Sequence, residues 1–160
     1  MSRGRDALGL VVCIGGCLLA GVLGSLLTRP AIDSWYRGLT KPLLTPPDAA
    51  FGIVWPILYV LMGLAAWLVW RRGPGDAAVR AALGLFVAQL ALNVAWSGVF
   101  FGLRAPVGGL VVVAALWALI LLTTLRFRPV SASAAALMLP YLLWVTFAAY
   151  LNAGIVFLNA

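Results

Sequence analysis

The chain has 160 residues, of which 64% are hydrophobic and only 9% are charged, and its formal net charge is +7. Soluble domains are about 45–50% apolar and about 25% charged, so this composition excludes both a soluble single domain and a disordered chain. The sequence therefore predicts a small all-α integral membrane protein. Because a membrane helix takes about 20 residues, five or six helices are the upper limit.

Five apolar stretches, each near or above the length of a membrane span, predict a bundle of five transmembrane helices in a single membrane domain. Charged, glycine and proline residues separate them. In chain order the predicted spans are 7–27, 50–70, 79–103, 106–125 and 131–158. An odd number of spans places seven basic residues on the side of the N-terminus and four on the other, which favours a cytoplasmic N-terminus. We expect a multi-pass protein of a bacterial envelope membrane.

The segment between the first two spans, residues 28–49, is the longest polar part of the chain. Pro42, Pro46 and Pro47 restrict its backbone, and the aromatic pair Trp35 and Tyr36 suits a membrane interface. Because a long loop in a small protein usually has a function, we predict a structured lid. The alternative is an interfacial anchor only.

Aromatic and uncharged polar residues recur at helical spacing in three of the predicted spans. Trp55 and Tyr59 share one face of the second helix, and Pro56 tends to bend that helix. Asn93 in the third helix forms a row with Gln89 and Ser97, and Trp96 lies beside it. Such a row facing lipid would be costly, so we expect it inside the bundle, either in hydrogen bonds between helices or lining a ligand cavity.

In the fifth helix Trp144, Ala148 and Asn152 lie on one face, and the small Ala148 side chain leaves room for a flat ligand. Three helices together could then bring aromatic rings and hydrogen-bonding groups around one large, uncharged, apolar chamber. Such a chamber suits a flat hydrophobic ligand. Its predicted members are Trp55, Tyr59, Asn93, Trp96, Trp144 and Asn152. The alternative is that each tryptophan is a packing or interfacial residue.

Small residues are also regularly spaced. Gly84 and Ala88, then Gly98 and Gly102, lie four apart in the third helix. Such spacing lets helix backbones approach closely, either within the bundle or at the seam of a homodimer.

Missing residue types exclude several kinds of chemistry. The chain has no His and no Glu, and Asp6, Asp33, Asp48 and Asp76 lie outside the long apolar runs. We therefore expect no ordinary metal site, no acid–base catalytic pair, no intramembrane proton relay and no resident cofactor. The basic residues lie at the ends of the apolar runs without interleaved aromatic residues, so the expected partner is the lipid bilayer and not nucleic acid.

Motifs between Trp35 and Asn152 resemble, in order, those of the TspO family of tryptophan-rich sensory proteins, which includes the mitochondrial translocator protein or peripheral benzodiazepine receptor. The matching strings are Trp35-Tyr36 with Leu39 and Lys41-Pro42, Pro46-Pro47, Val54-Trp55 with Leu58-Tyr59, Gln89 to Asn93 with Trp96, Phe100-Phe101-Gly102, Pro140-Tyr141-Leu142 with Trp144, and Leu151-Asn152.

The resemblance implies a homodimeric five-helix bundle whose first loop closes a pocket for porphyrins such as protoporphyrin IX. The implied pocket residues are Tyr36, Pro47, Trp55, Tyr59, Asn93, Trp96, Trp144 and Ala148. The leading hypothesis is therefore a porphyrin-binding membrane translocator with a stress-regulatory role. One alternative is light-dependent porphyrin degradation, for which the resemblance implicates Trp55 and Trp144. A further alternative is a structural membrane subunit.

Overall fold

The computed structural model describes residues 2–160, and within them it contains helices but no β-strand. A single-turn 3₁₀ helix at Tyr36–Gly38 lies in the loop between the first two long helices, and a π-helical segment at Gly98–Gly102 directly follows the third. The five long helices are α1 Arg3–Ile32, α2 Asp48–Trp70, α3 Ala77–Ser97, α4 Pro106–Phe127 and α5 Ala132–Leu158. All five regions are long and apolar enough to cross a membrane, which confirms the predicted all-α, multi-pass architecture.

Local sequence explains where three of these helices begin. The side-chain oxygens of Ser2, Asp76 and Ser131 accept hydrogen bonds from backbone N–H groups in the first turns of α1, α3 and α5. This N-capping provides acceptors for backbone N–H groups that have no partner within the helix. Near a membrane, leaving these N–H groups without a hydrogen bond costs free energy. Helix α4 instead begins at Pro106, where the missing N–H of proline has no cost.

Several predicted boundaries differ from the structure by a few residues, and those of α1, which begins at Arg3 instead of residue 7, differ at both ends. Helix α1 continues through Pro30 to Ile32, so the lid loop spans residues 33–47 and is shorter than the predicted 28–49. Pro30 lies in the last turn, where its missing N–H removes only one helical hydrogen bond. Helix α4 continues past the predicted residue 125 to Phe127, because the buried Phe127 ring stacks on Phe86 with centroids 5.9 Å apart.

The helices form a ring in the order α1, α2, α5, α4, α3, and the contact of α3 with α1 closes this ring. Small residues allow α1 to approach α2 closely: Gly63 lies against the backbone of Ile14, and Gly21 lies against the ring of Tyr59. The outer face of α1 exposes leucine and valine side chains. Lipid is as apolar as these side chains, so close backbone packing and internal polar contacts hold the bundle together.

Charged residues mark the two ends of the bundle. The basic end, at the start of α1 and the α2–α3 and α4–α5 connections, has seven arginines and the two carboxylates Asp6 and Asp76. The lid end has four basic residues together with Asp33 and Asp48. The lid loop and the aromatic residues at the start of α2 therefore lie at the less positive end.

Candidate functional site

Three of the polar groups at the centre of the bundle form one hydrogen-bonded chain. The Tyr59 hydroxyl donates to Asn93 Oδ1 at 2.6 Å, and Asn93 Nδ2 donates to the Tyr141 hydroxyl at 2.9 Å. All three side chains are buried. The chain connects α2, α3 and α5 and satisfies the Asn93 side-chain oxygen and one of its N–H groups in a medium where water is not available.

A second polar connection lies closer to the lid end. The Trp96 indole N–H donates to Asn152 Oδ1 at 3.1 Å, and Asn152 Nδ2 donates to the Pro106 carbonyl at 2.7 Å. Asn152 thereby joins α3 to the first turn of α4, where a backbone carbonyl is available. The predicted residues Trp96 and Asn152 are in direct contact.

Aromatic rings from three helices meet beside these polar groups. The Trp55 ring lies 5.6 Å from Tyr59, 6.5 Å from Trp96 and 6.3 Å from Tyr141, measured between ring centroids. These distances are within the range of favourable aromatic pairs. The predicted convergence of Trp55, Tyr59, Asn93 and Trp96 is therefore present in the structure.

Trp144 lies next to this group rather than within it. Its ring contacts Phe51 edge-on at 5.7 Å, one helical turn before Trp55. Its indole N–H is buried and has no hydrogen-bond partner within residues 2–160. A buried donor without a partner is uncommon and costs free energy, so this N–H is available to a bound acceptor. Ala148, one turn further along α5, is buried.

The lid places Tyr36 against the end of α3. The Tyr36 ring is buried, with centroids 5.4 Å from Phe101 and 6.4 Å from Phe100, and the Lys41 ammonium lies 4.6 Å above it. Burial, and secondarily the negative charge of Asp48, raises the pKa of the Tyr36 phenol above its usual value, so the phenol is neutral at physiological pH. Pro47, the other lid residue implied by the resemblance, is exposed and precedes the first residue of α2.

The π-helical segment explains how consecutive phenylalanines reach the same neighbours. Phe100 and Phe101 contact one another at 4.7 Å, and both contact Trp96 and Tyr36. The wider π turn changes the angle between successive side chains, and such segments are frequent at functional sites. Sequence reasoning missed this segment, although the paired phenylalanines between Gly98 and Gly102 were a visible signal.

The polar row on α3 is buried as predicted, but its members differ in their partners. Gln89, Asn93 and Ser97 all face the bundle interior. Only Asn93 forms hydrogen bonds between helices; neither side-chain polar atom of Gln89 has a partner within the part of the chain that the structure describes. Sequence reasoning also missed Tyr141, the fully buried partner of Asn93.

An open chamber between the aromatic residues of the site stays a prediction. The rings of Trp55, Tyr59, Trp96 and Tyr141 pack on one another. Two pockets of about 300 and 260 Å³ lie at the basic end and contain no predicted site residue. The aromatic side chains face the bundle interior, but they must separate before a flat ligand can enter between them.

The lid is held in place by the end of α5. Asn159 Oδ1 accepts from the Thr40 N–H at 2.9 Å, and Asn159 Nδ2 donates to the Thr40 carbonyl at 2.8 Å. Nearby, Pro42 occupies the space where a side chain at Gly154 would be. We name this pair of hydrogen bonds and the Pro42–Gly154 contact the lid clasp.

Replacing Asn159 with Ala should loosen the lid, because both hydrogen bonds to Thr40 disappear while the rest of the loop is unchanged. Hydrogen exchange at the Thr40 amide should accelerate about five- to tenfold, as expected for the loss of one or two ordinary hydrogen bonds. Ser34→Ala is the matched control, since the Ser34 hydroxyl donates only to the Pro30 carbonyl, four residues earlier in the chain, and not to α5. Equal acceleration in both variants would contradict the clasp.

The small residues of α3 do not all pack within the chain. Gly84 and Ala88 are exposed, and a side chain at Gly84 or Gly102 would meet no atom within 4 Å, whereas Gly98 lies near Leu27 of α1. Packing inside the bundle is therefore the wrong explanation for Gly84 and Ala88.

Comparison of the amino-acid sequence with known proteins identifies its family. The TspO/MBR family profile matches residues 13–158. "Tryptophan-rich protein TspO" of Chlorobaculum tepidum is 44% identical over 97% of this chain and 98% of its own, and the protein of the same name from Archaeoglobus fulgidus is 42% identical over 97% and 99%. "Translocator protein" of Bos taurus is 38% identical over 84% of this chain and 80% of its own. The matches cover most of both chains, and this protein belongs to the TspO/MBR family.

Proposed function

We propose that this chain is a membrane translocator or sensor that binds porphyrins of the protoporphyrin IX type, and related flat hydrophobic ligands, with a role in stress regulation. The observation that carries the proposal is the aromatic group on α2, α3 and α5, next to which the indole N–H of Trp144 is buried without a partner. Flat rings stack on indoles, and a buried donor favours a ligand with a polar edge. The printed names of the relatives, "Translocator protein" and "Tryptophan-rich sensory protein", agree with this role.

The proposed ligand enters between Trp55, Trp96 and Trp144 from the lid end. Tyr36 and Lys41 then lie at the water boundary, where a cationic side chain can pair with the carboxylates of a porphyrin. Arg37 is a weaker candidate for this pairing because it is already ion-paired with Asp33 at 2.7 Å. Tyr59, Asn93, Ala148 and Asn152 shape the inner wall, and Pro47 ends the lid.

Titration of protoporphyrin IX into the purified protein in detergent, followed by quenching of tryptophan fluorescence, tests the proposal. Trp144→Phe removes the unpartnered N–H while keeping a ring, and we expect it to weaken binding about tenfold, the effect of one buried hydrogen bond of about 1.4 kcal/mol. Trp117→Phe is the control, because Trp117 bonds the exposed Thr146 on the outside of the bundle. If Trp144→Phe binds as tightly as the unchanged protein, the site assignment is wrong. Absence of binding to any flat ligand would favour the structural-subunit alternative.

A light-dependent degradation of the bound porphyrin is the second candidate function. The observation that favours it is the contact of Trp55 with three further oxidisable rings, those of Tyr59, Trp96 and Tyr141. Such a group can lend an electron to an excited porphyrin and recover it when the reaction ends, so the protein undergoes no net oxidation. In the net reaction one dioxygen molecule cleaves one meso carbon–carbon bond of the porphyrin, and its two oxygen atoms become the two new carbonyl groups. Illumination of the complex in air should then yield a protein-dependent open-chain product. Bleaching at the same rate by free porphyrin in detergent would end this candidate.

We further propose that two copies pair along α3, and that the protein resides in a bacterial envelope membrane. The exposed Gly84 and Ala88 leave space for a second helix backbone, which is how small residues at this spacing act in membranes.

A further inference from the structure

A groove runs between α1 and α2 at the basic end, far from the proposed porphyrin site. Its volume is about 260 Å³. Leu8 and Val12 form its outer edge and are 63% and 62% exposed, so the groove opens toward the acyl chains of the membrane. Its lining is otherwise apolar except at one end; the residues are Arg5, Leu8, Gly9, Val12, Cys13 and Trp70.

Gly9 and Trp70 create the shape of this groove. A Cβ atom at Gly9 would lie 2.8 Å from two carbons of the Trp70 ring, so the ring is seated directly against the backbone of α1. From Arg5 to Cys13 the helix rises about 12 Å, at about 1.5 Å per residue. The groove is therefore a channel of that length with a cationic end at the membrane surface and an apolar end below it.

The positive charge at this end is not neutralised within the described chain. Asp6, which follows Arg5, is already engaged: its Oδ2 lies 3.3 Å from Arg71 Nη2, and its Oδ1 accepts from the Trp67 indole N–H at 3.1 Å. Arg5 and Arg72 are exposed and form no ion pair within residues 2–160. Arg5, which lines the groove, and Arg72, which follows Trp70 by two residues, thus both provide a guanidinium group that is unpaired within the described residues at this end of the bundle.

We propose that this groove binds an anionic glycerophospholipid. One acyl chain lies along Leu8, Val12 and Trp70, and the phosphate pairs with Arg5 in the attractive field of Arg72. The guanidinium group suits this role because its planar set of donors matches phosphate oxygens. Basic residues at a membrane surface attract anionic lipids by about 1 kcal/mol each, whereas a zwitterionic lipid has no net charge to attract. The proposal involves none of the residues of the proposed porphyrin site.

Native mass spectrometry of the full chain in a neutral detergent, with added phosphatidylglycerol or phosphatidylcholine, tests this site. We expect phosphatidylglycerol to bind more tightly than phosphatidylcholine. Arg5→Gln should weaken phosphatidylglycerol binding about fivefold, the equivalent of about 1 kcal/mol. Phosphatidylcholine should be weakened less, because its choline ammonium already offsets the attraction of Arg5 for its phosphate. Val12→Trp, which fills the groove without changing its charge, should weaken both lipids. Circular dichroism checks that each variant keeps its helices.

Arg128→Gln is the matched control. It removes one exposed positive charge from the same end of the bundle, but Arg128 follows α4 and lies outside the groove. An equal loss in Arg5→Gln and Arg128→Gln would overturn the proposal in favour of diffuse attraction. Equal binding of the two lipids would overturn it as well. Competition by millimolar inorganic phosphate would show that the phosphate alone is recognised and that the acyl groove has no part.

Discussion

Replacing Asn93 with Leu should destabilise the bundle more than any other single polar substitution considered for this chain. Leucine leaves the hydroxyl groups of Tyr59 and Tyr141 buried without their bonds to Asn93. A buried polar group without a partner costs about 1–3 kcal/mol, so the expected loss is about 2–5 kcal/mol. The measurement is unfolding of the purified protein by increasing fractions of a denaturing detergent, followed by circular dichroism.

Gln89→Met is the control for this prediction. Gln89 lies one turn from Asn93 on the same helix and is equally buried, but its side-chain amide bonds no group within residues 2–160. Methionine has a similar shape and no amide to desolvate, so stability should stay the same or rise. If both variants lost the same stability, burial of any residue at this depth would explain the loss, and the polar chain from Tyr59 to Tyr141 would have no special role.

The second large effect is expected at the contact between α1 and α2. In Gly63→Ala the added Cβ would lie 2.5 Å from the Cα atom and 2.9 Å from the backbone nitrogen of Ile14. Backbone atoms cannot move aside as a flexible side chain can, so the two helices must separate. Overpacking of this kind costs about 1–3 kcal/mol and occasionally more. We expect about 3 kcal/mol in the same unfolding measurement.

Gly15→Ala is the matched control for Gly63→Ala. Gly15 follows Ile14 on α1, and a side chain there would meet no atom within 4 Å. The substitution should be neutral or should stabilise the helix by about 0.5–1 kcal/mol, because alanine loses less conformational freedom than glycine. A Gly63→Ala variant as stable as Gly15→Ala would mean that α1 is not held at the observed distance.

The helices were predictable because span length and composition depend on the membrane and hardly on the tertiary structure. The end of α1 was not predicted, since proline usually marks a helix boundary, whereas here the helix continues two residues past Pro30. The α3 row of Gln89, Asn93 and Ser97 could be placed inside the bundle from the cost of polar groups in lipid. Which of the three finds a partner depends on Tyr59 and Tyr141 from other helices, and spacing along one helix contains no such information.

Some contacts among the aromatic residues of the candidate site could likewise be predicted from the sequence, and others could not. Helical spacing placed Trp55 and Tyr59 on one face, and their stacking in the structure agrees with it. The packing of Phe100 and Phe101 around Tyr36 depends on the π segment, whose hydrogen bonds are set by tertiary contacts. The contacts of Trp55 with Trp96 and Tyr141 are equally a property of the assembled bundle.

Ring packing at the site has a kinetic consequence. A protein whose binding-competent state is a minor population binds with an apparent affinity reduced by that fraction. Trp55 contacts Tyr59, Trp96 and Tyr141 directly, so the binding of the proposed porphyrin between these rings requires a state in which the contacts have broken. The observed association rate should then reach a plateau at high ligand concentration, set by how often the interior opens. A substitution that raises the population of the state with separated rings would strengthen ligand binding without adding any contact to the ligand.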